Sequence, residues 1–403
     1  MATGSPAGGA ATIAPPAAVA SPTGDNADPI DHATAALYPD LDAAPTSRYL
    51  AVPNAARPWL LVPAASRSLT AAAIRAAAPP DRLADRLRRR VALAALAVGA
   101  DTLLLRDRVD LPGGDTIDAH LRRALGTDIH PCIPLSGADH RLRQIRLLNG
   151  RADTVGFATV DTARTGRVIA ETTALRWLAS ASLPHLRIPQ VLYAGEWRGH
   201  PVLVREALPD GDRTGRDPHL MVRAMRELAF SDGVVDERLC DSRFGIRLRD
   251  RITELSASGA PSASSLAGAG AFLFARYGRT RLSLGCWHGE WEPRNVGVVD
   301  SAVRLWNFSR FASGVPLGFD ALHFALYRAL RRRIDPGRAV AALREQAPRL
   351  LRPFGIRETT APATVLLYFV ELVLRLLTES DSDSRTDPLT TALLRHIAEG
   401  GVR

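Results

Sequence analysis

The chain has 403 residues, 46% of them hydrophobic and 23% charged, with 51 basic against 42 acidic residues and a formal net charge of +9; this balance excludes a fibrous or wholly disordered chain and allows a sizeable core. All the basic residues are arginine, since no lysine occurs anywhere, and chemistry that needs a lysine ammonium is excluded with it. The densest arginine runs, 86–90 and 328–333, carry no interleaved aromatics and read as solvated helix faces, so a nucleic-acid partner is not expected.

Residues 1–45 are rich in Ala, Gly and Pro and lack the basic start and apolar run of a signal peptide, so they read as a disordered tail. Residues 46–129 form a small α+β extension. Arg48 to Ala64 alternates two apolar runs around Asn54-Ala55-Ala56-Arg57-Pro58, a hairpin pattern; two helical stretches and a strand-like segment near Asp110 follow. Asp115 and Asp118 are candidate caps for a helix running to Leu125.

From His130 the pattern turns strand-rich, with three short β candidates separated by Gly or Asn-Gly turns. The segment around Gly137 is a candidate phosphate loop, and a hairpin turn explains it equally well. A helical stretch with Val168, Glu171, Leu175 and Leu178 on one face comes next, then two strands, then helices to the end. Residues 130–209 thus read as a β-rich lobe and 210–403 as a helical lobe. The apolar run Val365 to Leu377 carries Glu371 and Arg375, and Val91 to Ala100 is too short to span a bilayer; both read as buried helices. Cys132, Cys240 and Cys286 form no CxxC, so neither a zinc site nor a disulfide framework is expected, and a cytoplasmic location fits.

Chemistry concentrates in two stretches, "CWHGEWEPRN" (286–295) and "RLWNFSRFASGVPLGFDALHF" (304–324). Together they resemble the signature block of the aminoglycoside phosphotransferase-like family, in which His-Gly-Asp is followed by Pro and Asn and a metal-binding Asp follows a hairpin. His288, Gly289, Pro293, Asn295, Arg310, Gly318 and Asp320 match that pattern. The extension is similar, less closely, to that of some actinobacterial members. The resemblance implies an α+β, protein-kinase-like bilobal fold, a small β-rich lobe and a helical lobe, with ATP and Mg²⁺ as cofactors.

It also implies roles residue by residue. Glu290 occupies the position of the catalytic Asp, one methylene longer; Asn307 that of the metal-binding Asp; Thr159 that of the phosphate-gripping Lys. Glu171 matches the usual partner of that Lys, and Asn295 the ligand of a second Mg²⁺. His288 is expected to be structural within the loop, and Asp320 to tie the metal region to the helical lobe. A longer acid, a neutral amide and a missing cation weaken base, metal and phosphate contacts together. The first expectation is therefore a pseudokinase-like module that binds a nucleotide or a partner, with ATP and Mg²⁺ held weakly or not at all. The second is an active ATP-dependent phosphotransferase on a small hydroxylated substrate such as a sugar or aminoglycoside, with an Arg such as Arg151 or Arg164 in place of the Lys. An Arg-rich nucleic-acid binder is the third. The partner is an unknown small molecule or protein.

Overall fold

The computed structural model describes residues 34, 36–39, 45–56, 58–77, 83–99, 105–135, 142–209, 217–257, 261–379 and 387–399. Gly137 and nearly all of the 1–45 tail lie outside them.

The extension forms β1 (Pro45–Val52), β2 (Leu60–Pro63), α1 (Arg67–Ala76), α2 (Leu83–Val98), β3 (Arg108–Pro112) and α3 (Ile117–Leu125). The hairpin around Asn54 is present, with Tyr49 opposite Pro63 and Val52 opposite Leu60. The cap of α3 departs from expectation. Thr116, between the two aspartates, accepts the N–H of Ala119, while Asp118 is buried and accepts the hydroxyls of Tyr38 and Tyr49, each at 2.6 Å. A threonine hydroxyl suffices for the orphan N–H, which leaves the carboxylate to join the core network.

The β-rich lobe continues with β4 (His130–Pro134), β5 (Leu142–Leu148), β6 (Thr154–Asp161), α4 (Arg167–Leu178), β7 (Leu186–Arg187), β8 (Val191–Trp197) and β9 (His200–Glu206). Five of its strands and the three of the extension make one eight-stranded sheet in the order β3-β1-β2-β4-β5-β6-β9-β8, joined where Leu61 pairs with Ile133. The expected boundary at residue 130 is therefore a join inside one sheet. Alternation along the strands sends Tyr49, Leu61, Ile145, Ala158 and Val204 to one face, packed with Ile117 and Leu121 of α3. Val52, Leu60, Cys132 and Leu148 go to the other, packed with Leu69 and Ile74 of α1 and Leu96 of α2.

The helical lobe holds α5 (Pro218–Ala229), β10 (Val235–Arg238), α6 (Arg243–Ser256), α7 (Pro261–Tyr277), β11 (Arg281–Trp287), β12 (Val296–Val299), β13 (Ala302–Leu305), β14 (Ala312–Pro316), α8 (Phe319–Arg331), α9 (Pro336–Leu351), α10 (Ala361–Glu379) and α11 (Pro388–Glu399). Its core runs from Leu175 of α4 through Trp291 and Phe308 to α10. Among the described residues α10 is the one helix long and apolar enough to cross a membrane, and most of it is buried in this lobe. The lobes are tied by β7, which pairs in parallel with β13 through Leu186 and Val303, and by His185, whose backbone N–H donates to Glu227 at 2.8 Å. The bilobal architecture expected from the sequence is the one observed.

Candidate active site

The loop after β11 is built on a turn only glycine adopts freely. Gly289 has φ +81°, and a Cβ there would stand 2.7 Å from the carbonyl oxygen of Arg310. Asp320, in the first turn of α8, holds the loop by accepting the N–H groups of His288 at 2.7 Å and Gly289 at 3.1 Å. Burial raises its carboxyl to about 7, opposed by those two N–H groups and by the Arg375 guanidinium.

His288 is fully buried, and that burial pushes its imidazole down to about 3. The ring is therefore neutral. Its bonds assign the tautomer: Nε2 donates to the Trp306 carbonyl at 3.0 Å, and Nδ1 accepts the Glu290 N–H at 3.1 Å. Both ring nitrogens are engaged by backbone, a geometry that orients the loop.

Glu290 points into the same space as Asn295 and Asn307. Its Oε1 accepts from Arg310 Nε at 2.5 Å; its Oε2 accepts from the Asn307 amide and, at 3.4 Å, from the Asn295 amide. Asn295 also donates to the Glu290 carbonyl at 3.0 Å. Asn307 sits in the left-handed region, φ +68°, which an Asn tolerates better than most residues, and its side-chain Oδ1 accepts the Ser309 hydroxyl at 3.0 Å. The three residues expected as base and as first and second metal ligands are thus hydrogen-bonded to one another.

The residues expected at the metal do not fit Mg²⁺. That ion takes hard oxygens in a near-octahedral shell and draws on carboxylates, whereas here one carboxylate, already paired with Arg310, stands with two amides whose N–H groups point at it. No group of three His, Cys, Asp or Glu suited to a metal occurs among the described residues.

Across the cleft, Thr159 in β6 is buried, and its hydroxyl has no hydrogen-bond partner among the described residues. Glu171, on α4, is also buried. Its carboxylate pairs with the guanidinium of Arg205 and accepts the N–H of Phe308 at 3.1 Å, next to Asn307. Arg205 comes from β9, the neighbour of β6. Thr159 lies opposite Leu203 and Phe157 opposite Arg205, so Thr159 and Arg205 share one sheet face, one pleat repeat apart. The cation beside Glu171 is supplied from the adjacent strand.

This corrects the sequence expectation for the substitute arginine. Arg151 lies in the β5–β6 turn, and Arg164 follows β6 in a left-handed conformation, φ +52°; Arg205 holds Glu171. The signal for it was available as a charge inside an otherwise apolar strand, "HPVLVRE". Arg375 was also missed. It is mostly buried on α10, donates to the Gly289 carbonyl at 2.8 Å, bonds Glu371 at 3.0 Å and lies 4.0 Å over the Trp287 ring.

No family model matches the chain, and no curated protein matches it. Among solved structures it is similar to a thermostable mutant of aminoglycoside phosphotransferase APH(4)-Ia in complex with AMP-PNP and hygromycin B, at 16% identity over 71% of this chain and 98% of that one, TM-score 0.49. It is also similar to a fructosamine-3-kinase-like protein of Haemophilus somnus, at 15% identity over 70% of this chain and 96% of that one, TM-score 0.48. At these identities the likenesses carry no residue roles.

Proposed function

We propose that this chain is a kinase-fold protein of the aminoglycoside phosphotransferase-like type in which phosphoryl transfer has been lost, and that it works as a binding module. What it binds is a nucleotide without metal, another small molecule or a protein partner. The observation that carries this reading is the closed Glu290–Arg310–Asn307–Asn295 cluster. A general base must offer a lone pair to the hydroxyl it deprotonates. The carboxylate of Glu290 instead accepts from a guanidinium and two amides, and the amides stand where the metal would be held. No transfer step is derived from this arrangement.

Parts of a binding cleft remain. Glu171 still links α4 to the Phe308 backbone, Arg205 supplies a buried positive charge on the sheet face it shares with Thr159, and the buried Thr159 hydroxyl has no partner among the described residues. The Arg205–Glu171 pair also favours a second reading, an active transferase with Arg205 in place of the strand lysine.

Thermal unfolding of the purified protein with ATP, with and without Mg²⁺, separates the two. A ligand at its own Kd stabilises the native state by only about 0.4 kcal/mol. The expected result is a small or absent shift at millimolar ATP, unchanged by Mg²⁺, and no ADP formed with any hydroxylated acceptor. A saturable, Mg²⁺-dependent shift with ADP release would overturn the binding-module reading and establish the transferase.

A further inference from the structure

A cavity of about 180 Å³ lies between α6, α10, β11 and β14, lined by Arg247, Arg251, Trp287, Glu371 and Arg375 among others. Its charges do not balance. Glu371 is the one acid in the lining; it accepts both bonds of Arg251 Nη1, at 2.9 and 2.8 Å, and one from Arg375 Nε at 3.0 Å. A single carboxylate thus stands against three guanidiniums. Arg247 is exposed and makes no ion pair or hydrogen bond among the described residues.

A second, independent feature belongs to the same wall. Trp287 is 3% exposed, and its indole N–H has no hydrogen-bond partner among the described residues. A buried donor left without a partner costs free energy, so such a group calls for one. Every other polar group named in the lining except Glu371 is also a donor. What completes them is an acceptor with negative charge.

We propose that this cavity is an anion-binding site for the carboxylate or phosphate group of a small organic acid or phosphomonoester. Arg247 and Arg251 supply the charge, and the Trp287 indole N–H donates to one of its oxygens. The cavity shares Arg247 with a neighbouring depression of about 500 Å³ lined by Val235, Ile246 and Leu284. The apolar remainder of the ligand lies along those side chains, of which Val235 and Ile246 are half exposed. Asp232, Glu237 and Arg243 also line that depression, so these two acids lie outside the lining of the smaller cavity that takes the anionic group. Trp287 directly precedes His288, and Arg375 holds the Gly289 carbonyl, so the site is one packing layer from Glu290. The inference is independent of whether the cleft at Thr159 binds nucleotide.

The full chain, labelled with ¹⁵N, would be titrated with inorganic phosphate and separately with acetate at constant ionic strength set with chloride. The Trp287 indole resonance is identified by its loss in Trp287→Phe. Expected is a saturable downfield shift of that peak with one of the two anions, which also distinguishes a phosphate from a carboxylate ligand. Arg247→Ala should weaken binding at least tenfold and Arg247→Gln similarly, while Arg247→Lys retains most of it; none of these changes touches a bonded side chain. An unmoved Trp287 peak with both anions overturns the proposal. So does a shift that chloride reproduces, or one unaffected by Arg247→Ala.

Discussion

His288 and Arg205 show how much one buried side chain can decide. A histidine held neutral by burial contributes stability that is present above its unfolded value near 6.5 and is lost as pH falls toward its folded value of about 3, because the unfolded chain takes up the proton first. His288→Gln keeps a neutral amide in the loop and removes that titration. Urea unfolding at pH 7 and pH 4.5 should show a smaller loss on acidification in the variant than in the native protein; an equal loss would mean that His288 is already charged. The Arg205–Glu171 pair is buried on both sides. Removing one partner leaves an uncompensated charge, so Arg205→Ala should cost about 3–5 kcal/mol. Arg205→Met combined with Glu171→Gln should cost markedly less, as measured by a double-mutant cycle. Additive losses would show that the two residues act independently. The sequence displayed both residues but not their pairing: the strand lysine has a fixed place in the resembled pattern, whereas a cation borrowed from the next strand has none, and only the β6–β9 register brings Arg205 to Glu171.

At the scale of elements, most of the chain's pattern was legible because each element carries its own signal. Two apolar runs in the hairpin alternate between two packed faces, Tyr49 and Leu61 on one and Val52 and Leu60 on the other, and Leu220, Met221, Ala224 and Leu228 recur at helical spacing in α5. What was not legible is the partner of an edge. Nothing local in "HPCIP" says that β4 pairs with β2 of the extension as well as with β5, because pairing between distant strands is set by the whole sheet rather than by either strand. One expectation follows for the extension. A chain beginning at residue 130 would expose the β4 edge and uncover Cys132 and Leu148, which α1 and α2 now pack against. It should elute as aggregate in size-exclusion chromatography where the full chain elutes as a defined species. A well-behaved truncated chain would show that the extension is dispensable for the fold.

For the molecule as a whole, the three altered positions were readable from the sequence, but the way their neighbours meet was not. Glu290 and Asn307 read as separately weakened parts and Asn295 as a retained one. The structure joins them in one hydrogen-bonded cluster, so reverting one should leave the others closed over the gap. Glu290→Asp alone is expected to leave the response to ATP unchanged. Glu290→Asp together with Asn307→Asp, which returns a second carboxylate, should introduce a Mg²⁺ dependence into the thermal shift that the native protein lacks. If the single change suffices, the cluster is not what closes the site.

The short β7–β13 pairing and the His185 to Glu227 bonds fasten the two lobes at one corner of the sheet, a few residues before β8. β8 is one edge of that sheet and β3 the other. Seven strand spacings of about 4.8 Å put the far edge roughly 34 Å away. For a rotation about that corner the extension is the end of a lever: one degree, hardly felt near the corner, carries β3 by about 0.6 Å. A pair of fluorescent labels, one on β3 and one on α9, would read the opening of the cleft with a gain that no label beside the cleft itself can match.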